Sequence, residues 1–181
     1  MYSRVATDQR GEFHFHRGPE FAARLLGYDS AELAALPAAM TASFAGVANP
    51  FAAGSMPPGA TVLDVGAGTG TDANLAAAQV GPKGRVIGVE PTAAMLDKAR
   101  ALAAHAHLEM RRGSAEELPV PDASIDVLIS NGVFNLAPDK TPVFREVLRV
   151  LKRGGRLQLA DIIVASELSE AIRRDIDLWT G

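Results

Sequence analysis

The chain has 181 residues, of which 48% are hydrophobic and 22% charged, and this balance is typical of one globular domain with a small N-terminal extension. Its formal net charge is −3, so it offers no basic field to collect nucleic acid, and we expect no nucleic-acid partner. The complete absence of cysteine excludes disulfides, thiolate metal sites and a cysteine nucleophile, and we expect no metal site.

Residues 1–58 lack the alternating strand and helix patterns of the remainder, and their short helical patterns predict a helical N-terminal cap. Residues 19–26 have the pattern of a short helix that begins at a proline and ends before a glycine. Asp29 and Glu32 have the spacing of a capping box, which predicts a second short helix. An alanine-rich segment over 38–44 follows, and we expect the whole region to act as a cap that closes over the ligand bound by the second unit of the chain.

From residue 60 onward strands alternate with helices, which predicts an α/β fold of the Rossmann-like, doubly wound type with a mainly parallel sheet. This unit spans 59–181. Its predicted strands are 61–65, 85–90, 108–112, 125–130 and 156–164. Its predicted helices are 72–80, 93–104 and 142–151, the last with Thr141 as N-cap and an apolar stripe of Phe144, Val147, Leu148 and Leu151. In such folds the ligand binds outside the carboxyl ends of the strands, where the strand order reverses.

The most informative local pattern is the string 62–70, in which a strand containing Asp64 runs into a loop with Gly66, Gly68 and Gly70. Glycines let the backbone turn sharply and let a ligand approach the main-chain N–H groups. A dinucleotide-binding loop has the spacing G-x-G-x-x-G, whereas Thr71 stands here at the place of its third glycine. An NAD-dependent oxidoreductase is therefore an alternative that the spacing disfavours, and a purely structural loop is another.

Glu90 ends the second predicted strand about 20 residues after the loop, as in nucleoside-binding folds. A carboxylate there can accept hydrogen bonds from both hydroxyls of a ribose. The alternative is a surface acid at the N-terminus of the next helix.

Together, the 62–70 string and Glu90 resemble the first two motifs of class I S-adenosylmethionine-dependent methyltransferases, and the resemblance covers about residues 60–164. It implies S-adenosylmethionine as the cofactor and a small-molecule methyl acceptor. The loop after the fourth strand, which contains Asn131, would lie between the cofactor and the methyl acceptor. The resemblance assigns the other cofactor contacts to Asp64, Gly66, Gly68, Gly70 and Asp72 on the methionine and ribose side, and to Glu90, Met95, Ser114 and Ala115 around the nucleoside. Met95 equally fits a buried helix stripe.

A narrower resemblance is to the arsenite methyltransferase branch. It rests on residues 66–73, 130–136, 138–140, 44–51 and 172–179. That branch binds trivalent arsenic through cysteine thiolates, one of which follows Ser-Asn where this chain has Gly132. We therefore expect methyl transfer to another, unidentified acceptor. A catalytically inactive S-adenosylmethionine-binding module is the alternative, and no residue receives a catalytic role.

The resemblance also predicts a helix and an antiparallel strand pair after the fifth strand, but residues 169–179 supply only the helix. We therefore expect a truncated chain, or a fifth strand whose exposed apolar edge is covered by a partner or by a second copy of the chain. No apolar run reaches the roughly 20 residues of a membrane span. Because no secretory signal pattern is present either, we expect a cytoplasmic protein without a membrane partner.

Overall fold

The computed structural model describes residues 17–163, and these residues form one five-stranded sheet beneath a helical cap. The strands are β1 (Thr61–Val65), β2 (Arg85–Glu90), β3 (Leu108–Arg112), β4 (Ile125–Asn131) and β5 (Leu151–Ala160). The cap contains α1 (Pro19–Leu26), α2 (Ser30–Ala34) and α3 (Ala38–Thr41), and the sheet is flanked by α4 (Thr71–Val80), α5 (Ala93–Leu102) and α6 (Lys140–Val150). Two short 3-10 helices lie at Pro50–Ala53 and Phe134–Leu136. No helix among the described residues is long and apolar enough to cross a membrane.

All strand pairs are parallel, and the strand order is β3-β2-β1-β4-β5. The predicted doubly wound fold is thereby confirmed, and β1, β2 and β3 have the predicted bounds. The order reverses between β1 and β4, because β1 lies between β2 and β4. This reversal places the expected ligand crevice at the carboxyl ends of β1 and β4.

The sheet is covered on both faces because alternate residues of its central strands point into two separate cores. On one face, Val62 of β1 packs in a cluster with Ala76 of α4 and Leu96 of α5. On the other face, Leu63 packs in a cluster with Val147 of α6. The continuous apolar runs of the central strands therefore reflect burial on both sides.

Helix α6 differs from its prediction in its start and in its buried face. Its N-cap is Asp139 instead of Thr141, because the Asp139 carboxylate accepts the N–H of Thr141 at 2.8 Å. The helix buries Val143, Val147 and Val150, whereas Phe144 and Leu148 are 42% and 77% exposed. Both sets of residues have helical spacing, so the local pattern could not distinguish them. Packing against the sheet selects the valines.

Strand β5 begins at Leu151 instead of residue 156 and ends at Ala160 instead of residue 164. Its first residue pairs with Ile125, and a register shift between Ile125 and Val127 accommodates the irregular turn around Gly154, whose φ is +80°. Residue 164 and the predicted helix over 169–179 lie outside the described residues. Within 17–163, β5 pairs with β4 alone, so it forms one edge of the described sheet.

The cap packs against α4 through its own small apolar cluster. Tyr28 and Phe44 meet edge to face at 5.2 Å and share this cluster with Leu75 of α4. Gln158 of β5 donates from Nε2 to the carbonyl oxygens of Pro50 and Gly54, both at 2.8 Å. These contacts attach the described part of the cap to the sheet. The division of the chain at residue 58 stays a prediction.

Candidate cofactor site

A cavity of about 160 Å³ lies at the carboxyl ends of the strands, where the crevice was predicted. Its floor comes from Asp64 and from the glycine loop that follows β1. Glu90 and the residues after it line one wall, and the loop after β4 lines another. Residues 43–46 of the cap complete the lining, so sheet and cap share one site.

The loop after β1 needs glycine at two places for different reasons. Gly66 has φ +74°, and a Cβ at this position would overlap the side chain of Val133. Gly68 has φ +55°, and a Cβ there would meet nothing within 4 Å. No side chain therefore covers its backbone on this side. This is the property required of a backbone that a ligand approaches closely.

Glu90 fastens this loop to the end of β2. Its Oε2 accepts the N–H of Gly68 at 2.9 Å, and its Oε1 accepts the N–H of Thr92 at 2.8 Å. The residue is 6% exposed and lines the cavity. Because each carboxylate oxygen has two lone pairs, both oxygens keep acceptor capacity for a ligand.

The cavity collects three buried carboxylates and no basic side chain among its lining residues. Asp64, Asp72 and Glu90 are only 2%, 6% and 6% exposed. Burial, followed by the charges of Asp72 and Glu90, raises the pKa of Asp64 well above its usual range. Burial also raises the pKa of Asp72, to about 6, although hydrogen bonds from Asn131 and Tyr28 oppose the rise. Asp64 Oδ2 is buried without a hydrogen-bond partner among the described residues. A pocket with this charge fits a cationic ligand.

Asn131 ties three parts of the molecule together at the rim of the cavity. Its Oδ1 accepts the N–H groups of Val47 and Ala48 in the cap, at 2.8 and 3.3 Å. Its Nδ2 lies 2.8 Å from the carbonyl oxygen of Ala48, 3.0 Å from the Tyr28 hydroxyl and 3.1 Å from Asp72 Oδ2. The Tyr28 hydroxyl donates to Asp72 Oδ1 at 2.8 Å. The Asn131 amide is therefore engaged by protein groups on both of its ends.

Most of the predicted site residues converge on this cavity, namely Asp64, Gly66, Gly68, Asp72, Glu90, Met95 and Asn131. Gly70, Ser114 and Ala115 are not part of the lining. Gly70 is instead the N-cap of α4, with a φ of +89°, and its carbonyl accepts a hydrogen bond from Asn74 Nδ2 within that helix. Ser114 forms an isolated bridge with Glu117 after β3. The individual roles of all these residues stay predictions.

Several lining or supporting residues received no role in the site from the sequence, although most of them lie within the segments 44–51, 66–73 and 130–136 that carry the narrower resemblance. They are Tyr28, residues 43–46 of the cap, Thr71, Val133 and Leu136. The Oγ1 of Thr71 is buried without a partner among the described residues, as is Oδ2 of Asp64 in the same lining. For Tyr28 and residue 43, which lie outside those segments, only the contact of the cap with the sheet reveals the position. No group of three or more acidic or histidine side chains within 17–163 is placed to hold a metal ion.

A doubly wound parallel sheet with an acidic cavity at its point of reversal defines a nucleoside-cofactor-binding α/β domain. The chain belongs to the methyltransferase domain family, which matches its residues 57–180. S-adenosylmethionine is the cofactor of this class, and the class I resemblance of the sequence is confirmed.

The chain is similar to the arsenite methyltransferase of Halobacterium salinarum, with 43% identity over 159 residues that cover 86% of this chain and 40% of that protein. It is 39% identical to the 2-phytyl-1,4-naphtoquinone methyltransferase of Synechococcus elongatus over 109 residues, 58% of this chain and 47% of that protein. The crystal structure of an arsenic(III) S-adenosylmethionine methyltransferase from Chlamydomonas reinhardtii superposes with a TM-score of 0.76 and 37% identity, covering 82% of this chain and 53% of that one. The chain thus spans less than half the length of these two curated relatives.

The residues present fit the family's cofactor. S-adenosylmethionine carries a positive sulfonium and a positive ammonium group, and the cavity offers buried carboxylates without competing cations. A pyrophosphate-bearing dinucleotide would meet like charge at Asp64, Asp72 and Glu90. The relatives give no support to the oxidoreductase alternative either.

Proposed function

We propose that this chain binds S-adenosylmethionine in the acidic cavity and transfers its methyl group to a small organic acceptor. The observation that carries the proposal is the set of three buried carboxylates around an open glycine loop with no basic side chain in the lining. Such a set destabilises the free protein and is explained by a cationic ligand.

Each lining residue receives a role from its position. Glu90 accepts hydrogen bonds from the ribose hydroxyls, and Met95, which is 4% exposed on α5, packs against the adenine. Asp64 and Asp72 face the cationic methionine end, together with the backbone of Gly66 and Gly68. Gly70, Ser114 and Ala115 support the loops behind these contacts. When bound, the cofactor supplies an activated methyl group, whose transfer requires chiefly proximity and alignment.

The acceptor is organic and largely apolar. The cap and the loop after β4 contribute Phe44, Val133 and Leu136 to the lining, and none of them can deprotonate an acceptor. The chain has no cysteine, whereas soft thiolates are the ligands that trivalent arsenic requires. The likeness to a naphthoquinone methyltransferase is consistent with an acceptor of this kind. We therefore place the chain outside arsenite chemistry by a thiolate mechanism.

The first test is calorimetric titration of the 181-residue chain with S-adenosylhomocysteine, with sinefungin, which carries an ammonium in place of the sulfonium, and with NAD. We expect micromolar binding of both nucleosides, tighter for cationic sinefungin, and none of NAD. Binding of NAD alone would overturn the proposal. Formation of S-adenosylhomocysteine from S-adenosylmethionine is then screened with phenols, quinols and arsenite plus thiol. Tight binding without turnover on any acceptor would favour the inactive binding module.

We further propose a cytoplasmic location and self-association through the edge of β5 that no other strand covers within residues 17–163. Leu159 of this strand is 40% exposed, and Ile162, just after it, is 60% exposed. Light scattering would show a dimer that a charged substitution, Leu159→Lys, dissociates. A monomer at all concentrations would contradict self-association, and cell fractionation tests the location.

A further inference from the structure

Tyr28 stands immediately behind the cofactor cavity without lining it. The residue is 5% exposed and belongs to the cap, in the turn between α1 and α2. Its ring is fixed by edge-to-face contacts with Phe44 at 5.2 Å and Phe51 at 6.3 Å. Its hydroxyl reaches across to α4 and meets Asp72 Oδ1 at 2.8 Å. Because the Tyr28 ring is fixed in the cap, its hydroxyl can orient the Asp72 carboxylate on α4.

The two oxygens of Asp72 are engaged from two different elements. Oδ1 accepts from Tyr28 of the cap, and Oδ2 lies 3.1 Å from the amide nitrogen of Asn131 on β4. The carbonyl of Ala48 is a second acceptor near the Tyr28 hydroxyl, but at 3.3 Å, so the shorter contact to a charged acceptor takes the proton. The plane of the Asp72 carboxylate is therefore set by the cap and the sheet together.

We propose that Tyr28 is a positioning residue of the cofactor site, whose hydroxyl, carried by the cap, holds the Asp72 carboxylate ionised and turned toward the cationic end of the cofactor. This inference rests on the proposed function of the cavity. It makes the cap part of the cofactor site, because the donor to Asp72 Oδ1 belongs to the cap, whereas the donor to Oδ2 belongs to β4.

The burial of Asp72 explains why a hydrogen-bond donor is needed there. Two titratable groups face Asp72, namely Tyr28 from the cap and Asp64 from β1. Glu90 of β2 lines the same cavity. The residue from β4 is the uncharged Asn131, and α4 has no charged residue besides Asp72. Burial raises the pKa of Asp72 to about 6, and the Asn131 and Tyr28 hydrogen bonds lower it. Burial and the Asp72 charge raise the pKa of Tyr28, so its hydroxyl keeps the proton that it donates.

The test is the affinity of S-adenosylhomocysteine for the wild-type chain and for Tyr28→Phe, measured by calorimetry from pH 5 to pH 9. Phenylalanine keeps the ring contacts and removes only the hydroxyl. We expect the ratio of the two dissociation constants to exceed one already at pH 9, where only the orientation of the carboxylate is lost, and to rise by a further factor of about ten toward pH 5.5, because a hydrogen bond to a charged group is worth about one pKa unit. The titration of the ligand itself cancels in this ratio.

Asn49→Ala is the matched control. Asn49 lies in the same cap and donates from Nδ2 to the carbonyl of Gly27 at 3.1 Å, but none of its hydrogen bonds reaches Asp72. Its loss weakens the cap without changing the carboxylate, so its affinity ratio should not vary with pH. A ratio for Tyr28→Phe that is equally flat would overturn the positioning role and leave the proposed function intact. Failure of the wild-type chain to bind would overturn both.

Fluorinated tyrosine gives a second measurement that does not depend on the folding of Tyr28→Phe. The chain has 2 tyrosines, and the other one is Tyr2. Replacement of both by 3,5-difluorotyrosine makes the hydroxyl a stronger donor at nearly unchanged shape. We expect the fall of affinity with acid to move to lower pH than in the wild type, opposite to the effect of phenylalanine. A shift in the other direction, or none, would overturn the proposal.

Discussion

Glu90 performs two tasks whose effects can be measured separately. Its oxygens hold the N–H groups of Gly68 and Thr92, which shapes the loop, and their remaining lone pairs face the cavity. Replacing the residue therefore changes both the stability of the free chain and its affinity for the nucleoside.

Glu90→Ala should weaken binding of S-adenosylhomocysteine by about 1.5–3 kcal/mol, the range for hydrogen bonds to charged groups, and should also lower the melting temperature of the free chain. Calorimetry and thermal unfolding measure the two effects. Glu109→Ala is the control, because Glu109 is an exposed acid on β3 that pairs with Arg85 and Arg111. An unchanged affinity in Glu90→Ala would remove this residue from the site.

Gly132 is the position where the arsenite branch has a cysteine, and its backbone conformation is unfavourable for any residue with a side chain. Its φ is +71°, and a Cβ would lie 3.1 Å from Val47 Cγ1. Gly132→Cys should destabilise the chain by about 1–2 kcal/mol, the cost of a left-handed conformation for a side chain. It should not produce methylated arsenic from arsenite and S-adenosylmethionine, since one thiolate does not complete the ligand set. Urea unfolding and chromatography test both expectations, with Gly132→Ala as the variant of equal strain. Methylarsenite formed by the cysteine variant alone would contradict us.

At the scale of elements, a buried amide and a neighbouring arginine of β5 attach the cap segment to this strand. Gln158 is 2% exposed and satisfies the carbonyls of Pro50 and Gly54, which precede the turn-rich stretch into β1. Arg156 reinforces the contact by donating to Gln158 Oε1 and to the carbonyl of Ser55. The strand and the cap therefore share one hydrogen-bond network.

Gln158→Leu should lower the free energy of unfolding by about 1–3 kcal/mol, because it leaves buried carbonyl groups without donors. Urea denaturation followed by circular dichroism measures the change. Leu159→Ala, at the next and 40% exposed position, should cost clearly less. Equal losses in both variants would show that the amide contributes nothing beyond packing.

At the scale of the whole molecule, the buried carboxylates of the cavity lower the stability of the free chain and, in our proposal, raise its affinity for the cofactor. The pKa of Asp72 is about 6 in the folded chain against an ordinary value of 3.8, so the native state holds this proton more tightly than the unfolded state. The contribution of Asp72 to stability is therefore most favourable below about pH 4, falls as pH rises toward 6, and is constant above that.

Asp72→Asn removes this dependence. The free energy of unfolding of the variant minus that of the wild type should increase by about 2–3 kcal/mol between pH 4 and pH 7, while cofactor affinity decreases. Urea titrations of the free chain at both pH values measure the change. The loss of hydrogen bonds in the variant lowers its stability equally at both pH values, so it does not contribute to this change. A difference that stays the same at the two pH values would show that Asp72 is not strained by burial.

The sequence was most reliable where neighbouring residues decide the outcome. The apolar runs of β1, β2 and β3, the glycine loop and the acid at the end of β2 are all local patterns, and each was predicted at its observed position. Helix α6 and strand β5 were less accurate, because two apolar stripes of α6 have the same spacing and the register of β5 depends on β4. Local periodicity cannot choose between such alternatives.

Sequence alone determined the doubly wound fold, because strand burial and glycine spacing are properties of adjacent residues, and the methyltransferase class followed from the resemblance of the 62–70 string and Glu90 to known motifs. Only the tertiary structure decided that Asn131 is engaged by the cap and that Tyr28 supports Asp72. These contacts join residues 84 and 44 positions apart in the chain. Their partners meet only when the cap packs on the carboxyl edge of the sheet, and no pattern of neighbouring residues encodes that meeting.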